Sequence, residues 1–183
     1  MDAKVRTYKG STESQRPKEA RVNYRSVTLI CAVLLEAGGC AVWPTSMAAA
    51  SDTAVTVLHA EGAQIYECKI ASDGKLTWQL REPVATLLLD GTTVGRHYAG
   101  PSWEYVDGSI VTAKPVHSSP GETQADIPWL RLEVVAHRGT GALSGVTSVQ
   151  RINTRGGIVS GGCEEAGTYF GARYAADYVF LRK

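Results

Sequence analysis

The densest chemistry in the chain lies in "VGRHYAGPSWEYVDGS", Val94 to Ser109. Arg96 offers a cation, His97 an imidazole, Tyr98 and Tyr105 hydroxyls, Trp103 a broad ring, and Glu104 and Asp107 carboxylates. With Trp103 facing solvent beside Tyr98, and Arg96, His97 and Glu104 at the rim, these residues would form an aromatic platform with polar hands. Such a platform suits a sugar or a small amphipathic ligand. With Trp103 facing inward, it becomes a core residue, and Glu104 or Asp107 caps local backbone amides. The inward orientation is preferred, because large aromatics on alternating strands usually build cores. Much of the stretch also reads as architecture: Gly100-Pro101 makes a chain-reversing corner and Asp107-Gly108 a tight turn.

A second polar motif, "VQRINTRGG", supplies Arg151 and Asn153, followed by glycines that permit positive φ. Pairing of Arg151 with Glu104 or Asp107 would join the two motifs into one cluster. The candidate ligand-binding set is therefore Arg96, His97, Tyr98, Trp103, Glu104, Asp107, Arg151 and Asn153.

Other chemistries fare less well. His97 with His59, His117 or His137 and a carboxylate such as Asp107 could hold a metal, but no H-x-H or H-x-x-x-H spacing preorganises two ligands. A metal-assisted enzyme using His97 with Glu104 or Asp107 stands as an alternative, and no cofactor is expected. No serine sits in G-x-S-x-G. "HRGTGALSG" imitates a dinucleotide fingerprint, but Gly139, Gly141 and Gly145 are spaced one residue too long. The "VTSVQRI" that follows is β-like rather than helical.

Charge and cysteines address location. Seven Lys/Arg and four Asp/Glu fall in residues 1–50, against twelve and fourteen in residues 51–183. The mildly acidic remainder argues against a nucleic-acid-binding face. The basic start, the apolar run "VTLICAVLL" and the small-residue stretch "SMAAA" read as a signal peptide over residues 1–50, cleaved near Ala50. Nine apolar residues are too few to cross a bilayer, so no transmembrane span is expected after cleavage. A lipoprotein acylated at Cys40 is a competing reading, but the usual leucine three places earlier is missing. Export leaves two cysteines, Cys68 and Cys163, which in an oxidising compartment most simply pair; two separate buried thiols are the alternative.

The elements that must position these groups are strands. "KLTWQLR" sets Leu76, Trp78 and Leu80 on one face, and "WLRLEVVAH" does the same with Leu130, Leu132, Val134 and Ala136. The last strand aligns Tyr174, Ala176, Tyr178 and Phe180. "SDGK", "VDGS", "HRGTG" and "TRGG" punctuate the runs. "EPVATLLLD" is ambiguous between a short helix after Pro83 and a buried strand. The expectation is one all-β domain over residues 51–183, an antiparallel β-sandwich or barrel of about nine strands with little helix.

The series "GAQIYEC", Trp78, "GRHYAGPSWEYVDGS", "IPWL", "VQRINTRGG", "GC" and "YAADYVF" resembles the secreted family called domain of unknown function 3455, over about residues 55–182. The resemblance implies a secreted β-rich domain with Cys68 and Cys163 at its cysteine positions, and brings no established activity. The resulting expectation is a secreted or periplasmic, non-enzymatic binding domain for a carbohydrate or small ligand. An envelope or matrix structural protein is the remaining alternative.

Overall fold

A computed structural model describes residues 52–183, so the expected signal peptide lies outside the described residues. Eight strands follow one another: β1 (Thr53–Ile70), β2 (Leu76–Leu89), β3 (Thr92–Tyr98), β4 (Ser102–Tyr105), β5 (Ile110–Ser119), β6 (Trp129–Arg138), β7 (Ser148–Gly156) and β8 (Tyr169–Arg182). Each pairs antiparallel with the next, and β8 closes on β1. The fold is an all-β, up-and-down closed barrel, in which every strand is paired on both sides along at least part of its length.

There are eight strands where about nine are expected, because β1 and β8 are long and continuous. β1 runs for 18 residues through a bulge at Ile65/Tyr66. "EPVATLLLD" is strand throughout most of its length, in β2. β3 pairs only with Ala85–Leu89 of β2, and the stretch before Ala85 has no second neighbour among the described residues. Pro83, which has no N–H to donate, sits in that unpaired part, where a missing donor costs least. The face with Leu76, Trp78 and Leu80 lies in the same stretch, and Leu80 is left exposed.

Alternation fills the barrel elsewhere. Leu58, Ala60, Leu87, Val111, Leu132, Val149, Tyr174, Ala176, Tyr178 and Phe180 are buried in one cluster. In β6 the alternation holds for Leu130, Leu132 and Val134. An extra residue at Val135 then shifts the register, and Ala136 is exposed.

Both barrel ends are plugged by loops. At the end carrying the β2–β3 and β4–β5 turns, the β6–β7 loop inserts Leu143 and Val146, both fully buried. Asp107 latches this loop: its carboxylate accepts from Ser109 N (2.9 Å), Ser109 Oγ (2.6 Å) and Ala142 N (2.7 Å). Gly141 must lack a side chain, because a Cβ there would collide with that carboxylate. At the opposite end Ile127 is buried beneath the β5–β6 loop, and Asp126 ties that loop to Gly156 N. The Cys68–Cys163 disulfide fastens the β7–β8 loop to β1 at this same end. The expected pairing is thus formed, closing 95 residues of chain, a linkage worth on the order of 4 kcal/mol.

Candidate functional site

The Val94–Ser109 corner is a pair of hairpins, β3–β4–β5. Gly100, at φ +107, makes the first reversal. In the β3–β4 ladder His97 lies opposite Trp103, and Arg96 opposite Glu104. Directly opposed residues share a face and neighbours alternate, so the sheet divides the expected set. His97 and Trp103 point into the barrel and are 3% and 1% exposed. Arg96, Tyr98 and Glu104 stand outside, where Arg96 Nη2 donates to Glu104 (2.8 Å) and the Tyr98 hydroxyl donates to the same oxygen (3.3 Å). The Arg96 guanidinium also lies over the Tyr98 ring at 5.3 Å.

Trp103 takes the preferred inward orientation, so it is no part of an exposed platform; Tyr169 and Phe170 are exposed instead, with Phe170 5.9 Å from Trp78. Two other expectations are corrected. His97 cannot act with Glu104, which is on the opposite face, and both Asp107 carboxylate oxygens are engaged by Ser109 and Ala142 at the barrel end. Arg151 pairs with neither Glu104 nor Asp107: its Nε and Nη2 donate to Pro128 O at 3.0 and 2.9 Å. Among the described residues no group of three His, Cys, Asp or Glu side chains is placed to hold a metal ion.

His97, Trp103 and Arg151 belong to a polar belt inside the barrel. His97 Nδ1 lies 2.8 Å from Ser102 O, and a carbonyl only accepts, so Nδ1 carries the proton. Burial pushes the His97 pKa down to about 3, and the Arg151 cation adds to the fall. The ring is therefore neutral, stacked on Trp103 at 4.5 Å. Trp103 and His97 both meet the edge of Tyr178, at 5.2 and 5.0 Å. Tyr178 and Tyr174 approach hydroxyl to hydroxyl at 3.5 Å, and burial raises both pKa values.

A second polar constellation forms on the outside; of its members, Asn153 belongs to the expected ligand-binding set and His59 to the candidate metal ligands. The closure of β8 on β1 sets His59 opposite Asp177, residues 118 apart in sequence. His59 Nδ1 lies 2.8 Å from Asp177 Oδ1. A register shift in β7 between Ile152 and Arg155 turns Asn153 into the left-handed region, φ +51. Its Nδ2 donates to Asp177 Oδ2 at 2.8 Å. Asparagine tolerates that conformation better than most side chains, and bulges of this kind re-aim a residue toward a site. Glu61 Oε1 stands 3.7 Å from His59 Nε2, extending the line to Glu61–His59–Asp177–Asn153.

These four residues, with Glu122 and Arg155, line a groove of about 500 Å³. A neighbouring hollow of about 630 Å³ shares Glu61 and Arg155 and continues past Gly62, Gly156 and Arg173. Small residues make the room: Ala175 borders both hollows, and Gly62 packs so closely on β2 that a Cβ would meet the Val84 carbonyl. The groove's volume is that of a small-ligand site, and its walls present donors and acceptors of both signs.

The fold defines the class: a single closed, eight-stranded antiparallel β-barrel domain with both ends plugged. The chain belongs to the family described as protein of unknown function (DUF3455), which matches residues 48–182. No curated protein and no solved structure matches it.

Proposed function

We propose that this protein is a secreted binding domain that holds a carbohydrate in the groove between His59, Asn153 and Asp177. The observation that carries the proposal is the fixed Asp177 carboxylate, gripped on one oxygen by His59 and on the other by Asn153 at 2.8 Å each. A carboxylate held in one orientation, between an amide and an imidazole, presents the planar donor–acceptor edge that neighbouring sugar hydroxyls require. Arg155, Arg173 and Glu61 border the continuing groove and supply further donors and acceptors. Binding is favoured over catalysis because both Asp177 oxygens are already engaged, which suits positioning better than proton transfer. Export is supported by the Cys68–Cys163 bond, a linkage typical of oxidising compartments, and by the basic and apolar start of the chain.

A glycan array probed with wild type, Asp177→Asn and Trp103→Phe tests this. Wild type and Trp103→Phe should bind a common set of saccharides, and Asp177→Asn should lose at least roughly tenfold in affinity, as expected for truncating a charged hydrogen bond. Absence of any wild-type binding, or unchanged binding by Asp177→Asn, would refute it.

A further inference from the structure

The interior belt contains a cation without a counter-charge. Arg151 sits in β7 directly opposite Tyr178, on the inward face, and its bonds go to neutral groups, the Pro128 carbonyl and the Tyr178 hydroxyl. Among the described residues it forms no ion pair with a carboxylate. Its charge bears on Tyr66, His97, Tyr174 and Tyr178. A part-buried guanidinium with only neutral neighbours is costly unless something negative joins it.

Two buried side-chain N–H groups that border the belt also lack partners. Trp103 Nε1 and Gln64 Nε2 are buried and unbonded, in residues only 1% and 2% exposed. Trp103 meets Tyr178 at 5.2 Å, and Tyr178 meets Tyr174 at its hydroxyl. Gln64 and Tyr174 flank the same point beside Gly157, where an added Cβ would touch both side chains. Arg151, Trp103 and Gln64 therefore border one pair of tyrosines. Native proteins seldom leave buried N–H groups unpaired, so two of them beside an uncompensated cation call for a common acceptor.

We propose that the barrel interior binds one small monovalent anion, a halide or a short carboxylate, on Arg151 with Gln64 and Trp103 donating to it. The anion neutralises the guanidinium and satisfies both orphaned donors at once. The neutral tyrosines and His97 complete a wall free of competing negative charge.

Thermal melting of the full chain at constant pH and ionic strength tests the proposal. A bulky sulfonate buffer salt serves as background, replaced stepwise by chloride, bromide, formate or acetate. At least one series should raise the melting temperature saturably, by on the order of 10 °C at a hundredfold excess over Kd. The first pair of salts reports a halide site, the second a carboxylate site. Arg151→Met should abolish the rise. Gln64→Glu, which brings a carboxylate of its own, should melt higher than wild type in background buffer and respond to none of the four. A flat wild-type response in all four series would overturn the proposal, as would an undiminished rise in Arg151→Met. Should Arg151→Met not fold, Gln64→Glu decides: a wild-type-like anion response in it is equally fatal.

Discussion

The outer groove and the inner belt are built from the same two strands, one residue apart. In β7, Arg151 faces in and Ile152 out, and the register shift then carries Asn153 and Arg155 to the groove. In β8, Tyr174 and Tyr178 face in, and Asp177 faces out. Yet the two sides solve the problem of polar groups differently. Outside, His59, Asp177 and Asn153 satisfy one another, and water can serve whatever remains. Inside, burial forces His97 neutral, and the Arg151 cation leans only on neutral acceptors, an arrangement that is costly at low dielectric. Whatever the inside groups hold is thus coupled to stability, whereas those outside can exchange partners at little cost to the fold. Substitutions inside should therefore move stability, and substitutions at the groove should move saccharide binding.

Removal of the central ring should give the largest effect. Trp103→Ala empties a site touching His97, Tyr178 and Phe180, and should cost about 3–5 kcal/mol in urea unfolding. Saccharide binding by the folded fraction should stay as in wild type; its loss would show that the belt shapes the groove. Replacing both Cys68 and Cys163 with serine should come next, at roughly 2–5 kcal/mol, measured the same way under oxidising conditions. The loss should again leave Asp177 and its partners intact.

Acid should act through the inner side first. The native His97 stays neutral down to about pH 3, whereas the unfolded histidine takes a proton near 6.5. Between those values the unfolded state binds more protons, so stability is fully present above about pH 6.5 and falls as pH drops toward 3. The slope is at most about 1.4 kcal/mol per pH unit. Asp107 and Asp126, held below the usual carboxylate range by hydrogen bonds from Ser109 and Thr123, contribute only at lower pH. Melting curves from pH 7 to 4.5 should therefore slope less for His97→Gln than for wild type, and equal slopes would place the titrating group elsewhere. Smallest on stability should be Asp177→Asn, under about 1 kcal/mol for an exposed bond network. Its signature should be lost binding with almost unchanged melting.

Several of these features were legible from residue order. Period-2 runs and Gly-containing turns give strands and reversals, Cys68 and Cys163 pair, and Trp103 turns inward as large aromatics on strands usually do. Residue type misled at Arg151, because a carboxylate looks like its natural partner while the ladder places it across from Tyr178. Alternation alone puts His97 and Glu104 on opposite faces only once the β3–β4 register is known. The groove was the least accessible. His59 and Asp177 meet because the last strand closes on the first, a pairing that no local pattern reveals. Asn153 gave the one local hint, lying before a glycine pair in a strand-like run.

The most direct measurement is an amide chemical-shift titration of the labelled domain with the strongest saccharide from the array. The expected result is a saturable set of shifts at Asn153, Arg155, Ala175 and Asp177, with the Arg96–Glu104 hairpin silent. Shifts concentrated on that hairpin, or on Trp78 and Phe170, would contradict the placement of the ligand site between β1, β7 and β8.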